Sequence, residues 1–202
     1  MVRVRLPKRP PTPSESDDET EDSESENESD GEAEDLQLML PVGAEAEVRS
    51  DDPGFVGSFY DVTVTGHLAS RGGGRYTVAY STLVAEDGGL LEETAAAGDV
   101  RPRPPREGRR EFAVHEAVEA FHNEGWWAGV VSAVPPPVAG APRVFQVAFP
   151  TSRETMEFEV AALRPHRVFQ DGRWVPAAEV VSALAAGSVS YRNSAYLQYS
   201  DA

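Results

Sequence analysis

The sequence predicts a mainly β protein: two small β domains in tandem that pack together, behind a disordered acidic N-terminal tail. Three observations lead to this prediction. From Pro41 onward, short runs alternate apolar and polar residues, which is the period of a strand with one buried face. Three blocks of the first half recur in the second half in the same order. The first 35 residues are polar, highly charged and nearly free of apolar side chains.

The N-terminal tail has two parts of opposite charge. Residues 1–13 hold four basic residues, and residues 14–35 hold 13 acids and no basic residue. A segment of this composition cannot bury enough apolar surface to fold alone. The acidic run is interpreted either as a solubilising tail or as an arm that attracts basic segments of other nuclear proteins. The stretch "RVRLPKRP" at 3–10 is a weak nuclear-import signal, and the expected location is the nucleus.

The first half reads as a series of strands. "GSFYDVTVTG" at 57–66 alternates, with Tyr60, Val62 and Val64 on one face. "RYTVAYSTL" at 75–83 is a second strand, and "RGGGR" between the two predicts a hairpin loop.

The second half repeats this pattern. "GSFYDVTV" matches "GWWAGVVS", "RYTVAYST" matches "VFQVAFPT", and "GDVRPRPP" matches "AALRPHRV", at offsets between 63 and 69 residues. Such self-similarity indicates an internal duplication. Units this small bury little surface alone, so the two copies are expected to share an interface. The predicted divisions are a tail at 1–40, domains at 41–105 and 111–174, and a C-terminal extension at 175–202 with a possible short helix.

Composition argues against several classes of protein. The chain has no cysteine, no run of 18 apolar residues, no metal-like spacing of its four histidines and no nucleophile or phosphate-loop motif. The sequence therefore predicts no enzyme, no metal or other cofactor and no membrane span. Residues 36–202 carry 21 acids and 14 bases, which makes nucleic acid an improbable partner and favours a basic one.

The repeated blocks resemble a tandem pair of plant Agenet domains, members of the Tudor-like royal superfamily. The first copy shows "DDPGFVGSFYDVTV" and "RYTVAYSTL", and the second shows "VEAFHNEGWWAGVV", "FQVAFP" and "LRPHRVFQDGRW". The resemblance covers roughly 41–174 and implies that each copy is a small, bent, Tudor-like β-barrel. It implies a chromatin reader that binds a histone H3 tail carrying the heterochromatic, gene-silencing dimethyl mark at its ninth residue. Alternatives are an RNA-binding Tudor-like pair and a protein–protein adaptor without a methyl-lysine cage.

The resemblance also implies which residues would build an aromatic cage. In the first copy these are Phe55, Tyr60 and Tyr80, with Phe59 as a substitute. The second copy offers Phe121, Trp127 and Phe149. The competing interpretation is that inward aromatic side chains of a small barrel form its core.

Acidic pockets near the domain junction are expected to bind unmodified basic residues of the same peptide. The candidates are carboxylates around the predicted cage, and each alone could equally be a solvated surface charge. They are Asp51, Asp52, Asp61, Glu92, Glu93 and Glu124.

The adjacent tryptophans Trp126 and Trp127 must point to opposite faces of one strand. Trp127 shares parity with Val131 and is expected to face its own barrel. Trp126 shares parity with Ala128 and Val130, and this outward apolar stripe predicts a docking surface. We expect the sibling domain to cover it, and an outer groove for the histone peptide is the rival.

Overall fold

The computed structural model describes residues 39–68, 74–108 and 111–178. The predicted disordered tail and most of the possible C-terminal helix lie outside these ranges. Within them, no helix is long and apolar enough to cross a membrane.

The first five strands form an antiparallel barrel around one apolar core. Alternation along the strands sends Val62 and Val64 inward beside Tyr76 and Val78, all at most 4% exposed. A short 3-10 turn, Ala97–Asp99, leads the chain back so that the last strand pairs with the first. The strands are β1 (Glu45–Arg49), β2 (Phe59–Leu68), β3 (Arg75–Val84), β4 (Leu90–Ala96) and β5 (Val100–Pro102).

The next five strands repeat this arrangement around a second core. Val131, Phe145 and Val147 are fully buried there, and Phe112 packs edge-to-face on Phe145 with ring centroids 5.4 Å apart. The 3-10 turn is repeated at Val160–Ala162. The strands are β6 (Ala117–His122), β7 (Gly125–Ala133), β8 (Val144–Phe149), β9 (Glu154–Glu159) and β10 (Leu163–Pro165). The predicted fold class, two tandem barrels packed together, is therefore confirmed.

A two-stranded hairpin follows the second barrel. Its strands are β11 (Arg167–Gln170) and β12 (Arg173–Pro176), so strand structure continues two residues past the predicted end at 174. The hairpin lies over the joint between the barrels, because Trp174 places its ring 5.2 Å from the guanidinium of Arg101.

The joint between the barrels is centred on buried charges. Glu47 in β1 and Glu119 in β6 each lie between inward-facing neighbours, point out of their own barrel and are at most 1% exposed. Arg101 binds both carboxylates at 2.8 and 3.0 Å, and Arg164 binds both at 2.7 and 2.5 Å. His166 adds a contact to Glu119 at 2.9 Å. Each arginine thus joins the two barrels.

Aromatic rings complete this joint with approximate two-fold symmetry. Arg101 stacks on Phe59 at 3.4 Å, and Arg164 stacks on Trp126 at 3.8 Å. Phe59 also pairs directly with Trp126 where β2 meets β7. The duplicated positions of the two copies therefore meet each other, as in an isologous dimer interface. Trp126 lies at the joint and faces the sibling barrel, and ion pairs rather than apolar side chains occupy the centre of this surface.

We expect the joint to lose stability in acid. Burial alone would raise the pKa of Glu119, but the hydrogen bond with His166 and the charges of Arg101 and Arg164 lower it from 4.5 to about 2. A carboxyl with a lowered folded-state pKa stabilises the fold above its unfolded pKa and loses that contribution as the pH falls to the folded value. The contribution of Glu119 should be roughly 3 kcal/mol at pH 7 and should disappear between about pH 4.5 and pH 2.

Urea unfolding of wild type and Glu119→Gln at pH 7 and pH 3 measures this effect. The difference in unfolding free energy between wild type and Glu119→Gln at pH 3 should be about half, or less, of the difference at pH 7. An equal difference at both pH values would show that the ionised form of Glu119 is not what stabilises the joint.

Candidate functional site

Two tyrosines stand at one end of the first barrel, where β2 begins and β3 approaches its end. Tyr60 and Tyr80 meet edge-to-face with ring centroids 6.1 Å apart. Val62 faces the core and pairs with Tyr80, so the Tyr80 ring points inward as well. Tyr60 lies two residues before Val62 and therefore shares its face of β2. Tyr60 and Tyr80 are 2% and 3% exposed. We call this end, with the groups that surround it, the first mouth.

The loop before β2 forms the rim of the first mouth. Hydrogen bonds from Phe55 N to the Asp52 carbonyl (2.8 Å) and from Ser58 N to the Phe55 carbonyl (3.0 Å) fold it into successive turns. Gly54 and Gly57 take positive φ values there, +87° and +82°, which glycine adopts without strain. Phe55 consequently turns its half-buried ring against the first core.

Carboxylates give the first mouth a negative character. Tyr80 donates a 2.5 Å hydrogen bond to Glu93 Oε1. Burial, that hydrogen bond and the charges of Glu93 and Asp52 raise the pKa of Tyr80 far above its ordinary value, so the phenol stays neutral. Burial also raises the pKa of Tyr60, and Asp52 adds to that shift.

The hydroxyl of Tyr60 is a buried polar group without a completed hydrogen bond among the residues described. Ser58 is its polar neighbour and favours the ionised phenol, but the Ser58 hydroxyl donates its own hydrogen bond to the Phe55 carbonyl at 2.6 Å. An unpaired buried hydroxyl costs about 1–3 kcal/mol, so a ligand group that hydrogen-bonds to Tyr60 would recover part of that cost.

The second barrel closes one side of the first mouth. Gly125, at the start of β7, lies so close to Tyr60 that a Cβ there would come within 3.0 Å of the ring. The preceding turn residues Asn123 and Glu124 have φ values of 48° and 64°, as in a tight hairpin turn. This turn carries exposed Glu124 beside the first mouth, and the ring of Trp127 lies 6.1 Å from that of Phe55.

The structure separates three predicted residues from this group. Phe59 is not a cage residue, because it points out of the barrel and lies under Arg101. Glu92 pairs with Ala79 and so lies on the opposite face of β4 from Glu93, which pairs with Val78. Asp61 is held by Arg103 at 2.9 Å on the outer face of β2.

The aromatic residues suggested for the second barrel do not converge. Phe121 points outward onto Trp126 with ring centroids 5.1 Å apart. Phe149 is 8% exposed and packs on Phe158 in the core. Trp127 does face its own barrel, where its indole donates a hydrogen bond to the His122 carbonyl at 2.7 Å.

The two barrel ends differ in the side chains that stand at matching positions of the paired strands. Glu93 pairs with Val78 in the first barrel, whereas Met156 pairs with the equivalent Val147 in the second. Two residues further along, Ala95 of the first barrel is replaced by Phe158, which fills the space between strands. The matching end of the second barrel is therefore apolar, and the carboxylate that faces an aromatic hydroxyl at this end belongs to the first barrel.

The acidic residues of the described segments do not suggest a metal site. In 39–68, 74–108 and 111–178, no three or more His, Asp or Glu side chains are arranged to hold a metal ion.

Several residues that shape the joint and the site were not predicted from the sequence. Arg101 and Arg164 stand at equivalent positions of the duplicated blocks "GDVRPRPP" and "AALRPHRV", and a charge repeated within duplicated strands was an available signal. The role of Gly125 had no comparable signal, because it depends on how the second barrel packs against Tyr60.

Two bent antiparallel barrels of five short strands, joined through one shared interface, define a Tudor-like tandem pair. Comparison with known proteins supports this class of fold. The Agenet domain model matches residues 43–105. The crystal structure of Arabidopsis thaliana AGDP1 AGD34 is 33% identical, with a TM-score of 0.60, over 70% of this chain and 92% of that one. The tandem Agenet domain 3-4 of ADCP1 is 31% identical, with a TM-score of 0.58, over 72% and 92% of the two chains.

A longer relative also points to the Agenet family. The Arabidopsis thaliana protein AGENET DOMAIN (AGD)-CONTAINING P1 is 35% identical over 139 residues, or 67% of this chain. The aligned part is 25% of that protein, so the chain spans about a quarter of this curated relative's length. The chain belongs to the Agenet family.

Proposed function

We propose that this protein is a chromatin reader whose first mouth binds a methylated lysine of a histone H3 tail. One observation carries the proposal: the first barrel places two tyrosine rings beside Glu93 and Asp52, whereas the apolar side chains of Met156 and Phe158 stand at the matching positions of the second barrel.

The chemistry of a methylated ammonium fits these groups. Methylation removes N–H donors and adds apolar surface while the positive charge remains. Ring faces attract such a cation by about 0.5–2 kcal/mol each, depending on desolvation. Glu93 supplies the opposite charge, and the Tyr60 hydroxyl oxygen can accept a hydrogen bond from a remaining N–H.

Entry of the ligand requires the rim to move. Tyr60 and Tyr80 are almost fully covered, and the half-buried Phe55 belongs to the loop that forms the rim. The two glycines that flank Phe55 give its loop the backbone freedom to swing outward. In the open state Phe55 becomes the third wall around the methylated lysine.

Unmodified basic residues of the peptide bind outside the cage. Asp52 on the rim and Glu124 on the neighbouring turn are the carboxylates that face a peptide crossing from the first barrel to the second. The Agenet resemblance favours the H3 tail with the dimethyl mark at its ninth residue, and a nuclear location follows from that partner.

Parallel titrations test the proposed class of ligand. Calorimetry of the full chain with dimethylated H3 peptide, unmodified H3 peptide and single-stranded RNA should show the tightest binding for the dimethylated peptide. Equal binding of both peptides would favour an adaptor without a cage, and preferential RNA binding would favour the RNA-binding class.

Adjacent glutamates provide a matched test of the cage carboxylate. Glu93→Gln removes the charge that faces Tyr80, so binding of the dimethylated peptide should weaken about 5- to 30-fold, equivalent to about 1–2 kcal/mol. Glu92→Gln removes the same charge on the other face of β4 and should change the Kd less than about 2-fold. Equal losses would indicate only long-range charge attraction.

A further inference from the structure

The basic residues of the chain are almost all arginine. Of the 18 basic residues, Lys8 is the single lysine, and it lies in the basic arm of residues 1–13 together with Arg3, Arg5 and Arg9. A lysine ligand supplied by the chain itself could therefore come only from this arm.

We infer that the first mouth has a second ligand within the same chain, the basic arm, with Lys8 competing for the place of the histone lysine. This inference rests on the proposed function, since it uses the same rings and carboxylates. The flanking arginines complement Asp52 and Glu124 as the basic residues of a histone tail would. Unmodified Lys8 binds weakly, and dimethylated Lys8 binds more tightly for the reasons given above.

Length allows the arm to reach the site. About 30 residues separate Lys8 from Met39, a length of chain that can span up to about 100 Å. The chain joins the barrel at the end opposite the first mouth, where Leu40 N donates a hydrogen bond to the Tyr76 hydroxyl. Tyr76 and Tyr80 are four residues apart on β3, which is about 13 Å.

The acidic run of residues 14–35 is the competing partner for the arm. It can neutralise the arginines, but it contains no aromatic side chain, so it offers no ring face to a methylated lysine. Dimethylation of Lys8 should therefore shift the arm toward the first mouth. A ligand tethered to its own site by a short linker has an effective concentration near the millimolar range.

Reductive methylation of the intact chain tests the inference, because Lys8 is its only lysine. Formaldehyde and borohydride replace the two hydrogens of the neutral amine with methyl groups, at Lys8 and at the N-terminal amine. A Lys8→Arg chain treated in the same way controls for the N-terminus. If the arm's intrinsic Kd is a tenth of its effective concentration, the treated wild-type chain should bind dimethylated H3 peptide about tenfold more weakly than before.

The outcomes separate this inference from the proposed function. Weaker binding after treatment in wild type, with no change in the Lys8→Arg control, supports it; unchanged binding in both overturns it. If the chain binds no H3 peptide at all, a synthetic peptide of residues 1–13 with dimethylated Lys8 is titrated into the Lys8→Arg chain. Binding that Tyr80→Ala abolishes sustains the inference without the histone ligand, and absence of binding overturns it.

Discussion

Replacing Arg101 by methionine should lower the free energy of unfolding by about 3–5 kcal/mol, the cost of removing one partner from a buried ion pair. The substitution leaves Glu47 and Glu119 buried, with Arg164 and His166 as their remaining cationic contacts among the described residues, and it removes the cation from the face of Phe59. For a folded part of this size, the melting temperature should fall by roughly 10 °C or more.

Arg103→Met is the matched control for this prediction. Arg103 also contacts two carboxylates, at 3.1 Å in Glu45 and 2.9 Å in Asp61, but Glu45 is 68% exposed. Exposed ion pairs contribute little, so this variant should lose about 1 kcal/mol or less. Similar losses in both variants would show that the buried network is not what holds the barrels together.

Tyr80→Ala should weaken binding of dimethylated H3 peptide by about 1–3 kcal/mol, the range for a central buried anchor of an interface. It removes one ring of the cage and the donor that orients Glu93. Tyr80→Phe keeps the ring and should change the Kd less than about threefold. The melting temperature of each variant must be measured too, because Tyr80 is part of the first core.

If Tyr80→Phe lost as much binding affinity as Tyr80→Ala, the hydroxyl would be the recognised group. The ring would then have no cation-binding role, and the cage model would fail.

Much of the fold was predictable because strand alternation and duplication are local signals. The inward positions of Tyr60, Val62 and Val64 follow from a period of two, which the backbone enforces on any strand with one buried face. The opposite directions of Trp126 and Trp127 follow from the same rule. The duplication supplied the tandem arrangement, and the Agenet resemblance supplied the barrel shape of each copy, which these local patterns alone leave open.

The details of the joint were not predictable from such patterns. A glutamate such as Glu47 reads as a solvated outward residue, and only the arrival of Arg101 and Arg164 from distant strands makes its burial favourable. The resemblance offered Phe59 as a substitute cage residue beside Tyr60, yet adjacent strand residues cannot share a face. The difference between Glu92 and Glu93 likewise required the register of β4 on β3.

The methyl groups of the bound peptide report the central claim most directly. We would record nuclear Overhauser effects between the carbon-13-labelled dimethyl-lysine of an H3 peptide and the aromatic protons of the full chain. The account predicts contacts to Tyr60, Tyr80 and Phe55, together with the upfield methyl shift that aromatic ring faces produce. Contacts to Phe149 and Phe158 instead, or methyl resonances that stay at their free positions in the saturated complex, would contradict it.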